Sequence, residues 1–171
     1  MLWLLAAIWA VSVGNFVGGL GLEAYGIVPR SAFGLVGLVS APFIHGSPEH
    51  LLANTAPLLV LGLIVAVHNA KRFVAISAAI AGIGGAGVWL VGRTSSHIGA
   101  SGLLFGYFGY LLAQGFYARS FTEIAVALLA VFLYSGILLG AIPQNTAVSW
   151  ESHLFGLLAG IAVARRNQLT A

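Results

Sequence analysis

The run His97-Ile98-Gly99-Ala100-Ser101-Gly102-Leu103-Leu104-Phe105-Gly106 decides how this chain is read. Its first residues are polar and glycine-rich. From Gly102 the sequence turns into an apolar stretch that continues to Tyr117. Ser101 therefore stands where a loop becomes a helix, and a helix start presents free N–H groups and the positive end of a dipole. Two further apolar stretches open on polar residues of complementary chemistry. One begins after His50 and carries Asn54, and the other begins around His153. A serine hydroxyl is a weak nucleophile until a base takes its proton. Serine, histidine and two polar donors at the starts of three apolar helices form a candidate set for nucleophilic chemistry.

Composition sets the medium. Of 171 residues 60% are hydrophobic and only 6% are charged, with a mean hydropathy of +1.01. A soluble domain carries about 25% charged residues, so this chain reads as an integral membrane protein of one domain, residues 1–171. Cysteine is absent and the four acids are all glutamate, Glu23, Glu49, Glu123 and Glu151. Disulfides and thiolate metal sites are thereby excluded. The net charge of +3 fits basic cytoplasmic loops rather than a nucleic-acid partner. The apolar N-terminus lacks a basic leader region and reads as a retained first helix.

Spans of roughly 20 apolar residues are needed to cross a bilayer. Six stretches approach that length: about 2–20, 51–68, 72–91, 102–117, 121–141 and 150–164. The expected fold is an all-α bundle of six transmembrane helices. Lys71, Arg72, Arg119, Arg165 and Arg166 fall on one side, against Arg30 and Arg93 on the other. The positive-inside rule then puts both termini in the cytoplasm. Spans two, four and six run inward together, so His50, Asn54, Ser101 and His153 are expected at one outer depth. The segment Gly21–Ile44 contains Pro29, Pro42 and several glycines. It reads either as a piece lying in the outer leaflet or as a loosely packed outer loop.

Gly102 and Gly106 share a small-residue spacing with Gly156 and Gly160, which lets two helices approach closely. Such an approach would carry His153 toward Ser101 as general base. His97 is a rival base, but it lies in a polar loop where its orientation is expected to be less fixed. Glu151, two residues from His153, would face away on a helix, so a Ser–His dyad is favoured over a triad. His50 and Asn54 lie four apart on one helix face and can both donate to a developing oxyanion. A metal held by His45, His50, His97 and His153 competes with this reading, yet no metal-binding motif appears. A transporter using His50 and His153 as a proton relay would show internal repeats, and none is visible.

Taken together, His45-x4-His50-x3-Asn54, Gly99-Ala100-Ser101-Gly102 and His153-x2-Gly156-x3-Gly160 resemble the signature of the rhomboid family of intramembrane serine proteases, over essentially the whole chain. The resemblance implies that Ser101 is the nucleophile and His153 the base. It implies an oxyanion site made by His50, Asn54 and the Ser101 backbone N–H, with His45 mainly structural and Gly99 and Gly102 flanking the serine. It implies transmembrane protein substrates cut near the outer face of the cell membrane, and no metal or organic cofactor. Two departures stand out. Many members carry a Trp-Arg pair in the first outer loop, absent from Gly21–Ile44, and many have tyrosine where this chain has Phe105. Relatives that bind transmembrane helices without cutting them usually lack the serine or the histidine, and both are present here.

Overall fold

A computed structural model describes residues 1–68, 70–118, 120–143 and 148–169. Its long elements are all helical: α1 Leu2–Gly18, α3 Pro48–His68, α4 Phe73–Val91, α5 Ser101–Ala118, α6 Phe121–Tyr134 and α7 Trp150–Leu169. A single turn, α2 Gly37–Ser40, lies within the first outer segment. Arg119, used to orient the chain, lies outside the described residues.

The helix boundaries refine the sequence reading. α1 stops at Gly18 because Gly19 adopts a left-handed conformation, φ 58°, and closes the helix. α3 begins at Pro48, which takes His50 into its first turn, and it continues through Pro57. α6 passes at Tyr134 into a 3-10 helix, Ser135–Ala141. α7 begins at Trp150 and runs five residues beyond the expected 164.

Among the described residues three spans are both long and apolar enough to cross a bilayer alone: Pro48–Val67, Phe73–Val91 and Phe121–Ala141. α5 is different in kind. It is buried almost all round, from Ser101 to Gly115, and protein rather than lipid surrounds it. It can therefore carry glycines, tyrosines and Gln114 without facing hydrocarbon. The core is built on it, with Tyr107, Phe108 and Tyr110 fully enclosed. α6 lies at the opposite extreme, with Ala130 its single buried residue.

α5 and α7 are the most closely packed pair, and glycine is the reason. A methyl group built on Gly156 would fall on the Gly102 carbonyl, and one on Gly160 would fall on the Gly106 carbonyl. The small-residue spacing is thus used at backbone-to-backbone distance.

The segment 21–44 is packed, which overturns the loose-loop alternative. It consists of short helical turns, 22–25, 33–36, 37–40 and 41–43. Gly34 and Gly37 press on the backbones of Val28 and of Gly26–Ile27. The anchor absent as a Trp-Arg pair is supplied by residues distant in sequence. Arg30, held at φ 58°, donates from Nη1 to the Leu90 and Gly92 carbonyls, 3.2 and 3.0 Å. Its backbone N–H donates to Trp89 O at 2.9 Å, and Trp89 Nε1 donates to Ser31 O at 2.8 Å. Arg30 thereby satisfies carbonyls at the C-terminus of α4 that the helix itself leaves open. Phe33, Val36 and Val39 project outward from this segment.

Candidate functional site

The N-terminal ends of α3, α5 and α7 gather at one end of the bundle. A cavity of about 410 Å³ opens between them, lined by Ser47, His50, Ile98, Ser101, Ser149 and His153 among others. Three helices that start at the same end bring residues 46–50, 96–101 and 148–153 together across the sequence.

Ser101 is the first residue of α5. The helix ladder begins with Leu104 N–H to the Ala100 carbonyl, 3.1 Å, so the Ser101 N–H lies ahead of it. Among the described residues nothing hydrogen-bonds to Ser101 Oγ, yet it is not a sealed, orphaned atom: Glu151 Oε2 is the one buried side-chain oxygen or nitrogen left without a partner. The Ser101 hydroxyl opens on the cavity.

His153 is held on two sides. Its Nδ1–H donates to the Gly140 carbonyl at 2.8 Å, which fixes the tautomer and leaves the lone pair on Nε2. Phe105, one turn after Ser101, stacks on the imidazole with ring centroids 4.2 Å apart and 6° between planes. The stack therefore forms with phenylalanine in place of the more usual tyrosine. No described residue bonds Nε2, and like Ser101 Oγ it is not enclosed. Ser101 and His153 line the same cavity without a direct hydrogen bond between them.

His50 lines the cavity, and its ring lies against Gly99. A side chain at Gly99 would strike the His50 ring, and its φ of +110° favours glycine independently. Asn54 lies one turn further into α3, is buried, and donates from Nδ2 to the His50 carbonyl at 3.0 Å. It is not among the cavity-lining residues, so His50 and Asn54 share a face but not equal access.

His45 is bonded at both ring nitrogens. The Ala100 N–H donates to Nε2 at 3.3 Å, which puts the proton on Nδ1, 3.0 Å from Ser12 Oγ. Ser12 in turn donates to the Phe43 carbonyl at 3.0 Å. Burial, with the His50 ring beside it, lowers the His45 pKa to about 4, and the neutral ring accepts the Ala100 bond at physiological pH. His45 thus ties α1 to the residue preceding Ser101.

His97 corrects the sequence reading. It is 1% exposed and firmly held, not loosely oriented. Its backbone pairs with Ile27 in an isolated antiparallel bridge. Its Nε2–H donates to the Arg93 carbonyl at 2.9 Å, and Nδ1 accepts from Ser149 Oγ at 2.6 Å. With both nitrogens engaged, it has no lone pair to offer Ser101. Glu151 pairs with Arg93 at 3.2 Å, and no hydrogen bond joins it to His153 among the described residues. Among the described residues no three His, Asp or Glu side chains come together to hold a metal ion.

Sequence reasoning missed Gly140, Arg93 and Ser12. Nothing marks Gly140, because it contributes a carbonyl. Arg93 and Glu151 carry a faint signal, as charges in a chain that has few.

Comparison with known proteins identifies the family. The Rhomboid domain model matches residues 32–166. An uncharacterized protein of Mycobacterium bovis is 42% identical over 168 residues, covering 93% of this chain and 70% of the relative, and the same figures hold for one of Mycobacterium tuberculosis. One of Mycobacterium leprae is 39% identical over 139 residues, covering 76% of this chain and 55% of the relative. A family match over most of the chain, on an all-helical bundle, makes this chain a member of the rhomboid family.

Proposed function

We propose that this chain is an intramembrane serine endopeptidase that cuts transmembrane segments of other membrane proteins near the outer face. Ser101 is the nucleophile, His153 the general base, and His50, Asn54 and the Ser101 N–H form the oxyanion site. The observation that carries this reading is the state of His153. Its Nδ1–H is committed to the Gly140 carbonyl and its ring is clamped by Phe105, while Nε2 and Ser101 Oγ share one cavity. Gly140 O occupies the role that the carboxylate, the third member, has in a triad, holding the tautomer.

In the reaction His153 Nε2 takes the Ser101 proton as Oγ attacks the substrate carbonyl. The developing oxyanion lies at the start of α5, where donors and the helix dipole favour negative charge. His153 then protonates the leaving amine. Water, activated by the same histidine, hydrolyses the acyl-enzyme and regenerates Ser101. Bonds between base and nucleophile commonly tighten only with substrate bound, which accommodates the open Ser101–His153 pair.

The whole chain, residues 1–171, acts as one membrane domain with six spans. Both termini are cytoplasmic, and the plasma membrane is its site. Lys71, Arg72, Arg165 and Arg166 at the end of the bundle opposite Ser101 support that orientation. The test is covalent labelling of the purified protein by a fluorophosphonate, alongside cleavage of a single-span substrate. Labelling at Ser101, lost in Ser101→Ala and His153→Ala together with cleavage, is expected. The double variant should be no worse than either single, because the pair acts as a unit. A wild-type chain that binds a transmembrane helix intact, unlabelled and without cutting it, would establish the non-proteolytic alternative instead.

A further inference from the structure

The loop that carries the nucleophile is fastened to the helix that carries the base by contacts outside the cavity chemistry. Glu151 Oε1 accepts from Arg93 Nε at 3.2 Å and from the Arg93 backbone N–H at 3.3 Å. Arg93 Nη2 donates to the Val148 carbonyl at 2.6 Å. Four residues later His97 takes up Ser149 Oγ, which also caps α7 by accepting from Ser152 N–H at 3.1 Å. Residues 93–97 precede Ser101, and residues 148–151 precede His153. The glycine seam sets how closely α5 and α7 approach, but a smooth seam does little to resist sliding or rotation of one helix against the other.

We propose that Arg93 and Glu151 are positioning residues, a clasp that sets the register of Ser101 against His153. This rests on the serine-protease reading above. Glu151 is almost fully buried, and Arg93 is the charged partner its carboxylate has among the described residues. Its other oxygen has no hydrogen-bond partner among the described residues, so among them Arg93 is what orients the group. The stretch from Gly92 to Ala100 has no helix of its own, so its course depends on such ties. Arginine suits the position because its planar fork reaches the carboxylate and the Val148 carbonyl together, which lysine cannot do.

The experiment compares wild type with Arg93→Gln, Glu151→Gln and the double variant, reconstituted in lipid. The readouts are kcat and KM for a transmembrane substrate, the rate of Ser101 labelling by a fluorophosphonate, and the melting temperature. Displacing a catalytic group by about 1 Å from a remote change costs on the order of 100-fold. Each single variant should lose about that much in kcat and in labelling rate, with KM little changed. The double variant should lose no more than a single, since the pair acts as one unit. If Glu151→Gln does not fold, Arg93→Lys carries the test: it keeps the charge but not the fork, and should lose kcat while melting close to wild type. Folded variants with wild-type kcat, or losses confined to KM, overturn the clasp while an active wild type keeps the protease reading. A wild type that neither labels nor cleaves overturns both.

Discussion

Phe105 and His153 form a parallel ring stack, 4.2 Å between centroids, across the seam between α5 and α7. Gly140 closes the same corner: a methyl built on it would lie 3.0 Å from His153 Nδ1 and 3.2 Å from Phe105 Cζ. The imidazole is therefore confined by a flat ring, a backbone carbonyl and a glycine, with no carboxylate against it.

That confinement makes Phe105 a test of base positioning. Aromatic pairs contribute about 0.5–1.5 kcal/mol beyond burial, and 1.4 kcal/mol is tenfold in rate. Phe105→Leu keeps apolar bulk but removes the flat face. It should lower kcat by roughly two- to tenfold with the protein still folded, and steady-state cleavage assays would detect this. Unchanged kcat would mean that the Gly140 bond alone holds the ring.

The glycine seam yields a prediction about assembly. Methyl groups at Gly156 and Gly160 would meet the Gly102 and Gly106 carbonyls, which are backbone and cannot swing aside. Overpacking of this sort costs about 1–3 kcal/mol. Gly160→Ala should lower the melting temperature and activity together. Gly82→Ala, where a methyl meets nothing within 4 Å, should leave activity unchanged and should not lower the melting temperature, since alanine favours a helix over glycine. Equal melting temperatures for the two variants would contradict the packing described.

The oxyanion assignment separates two neighbours. His50 lines the cavity, while Asn54 lies behind it and also holds the His50 carbonyl. Removing a single oxyanion donor costs about 100- to 1000-fold in a soluble serine protease. His50→Ala should approach that loss in kcat, and Asn54→Ala should lose less. Chelators should leave turnover unchanged. Full turnover in both variants would leave Ser101 without side-chain donors, and inhibition by a chelator reversed by zinc would favour a metal site.

Under the proposed assignment, substrate choice follows from where Ser101 lies. A peptide carbonyl locked in a membrane helix must be freed before attack, and exposing backbone to lipid is costly. Glycine and proline weaken a helix by about 1 and 3 kcal/mol relative to alanine. Cleavage is expected in the outer part of a single-span substrate, after a small residue, with glycine or proline downstream. Replacing those residues with leucine should suppress product on a gel, and mass spectrometry should map the cut. Undiminished cleavage would sink the unwinding requirement, and a cut at the cytoplasmic end would sink the orientation.

Much of this arrangement is legible in the residues, and the part that is not has a common physical cause. Helices α3, α4 and α6 announce themselves by length and apolarity, and the shorter α1 by apolarity. The seam between α5 and α7 is visible in the spacing of Gly102, Gly106, Gly156 and Gly160, because the requirement for small residues is local and periodic. The ties between loops are not visible. Arg30 on the end of α4, Arg93 on Glu151 and Gly140 O on His153 join residues 13 to 62 positions apart, where no spacing rule applies. His97 misleads for the same reason: its loop reads as polar and free, but partners from residues 27 and 149 enclose it. The burial of α5 is hidden too, since sequence alone does not say which span the others surround.

The seam between α5 and α7 also has a consequence in time. Chains emerge from the ribosome N-terminus first, at about 5–20 residues per second. By the proposed assignment the nucleophile is made early and its base late. Synthesis from Ser101 to the end of α7 at Leu169 takes roughly 3 to 14 s at those rates. Until α7 threads in beside Gly102 and Gly106, neither the Gly140 bond nor the Phe105 stack has an imidazole to hold. By that assignment a nascent chain still lacking α7 would be harmless to its neighbours in the translocation machinery, with α7 the part that arms it.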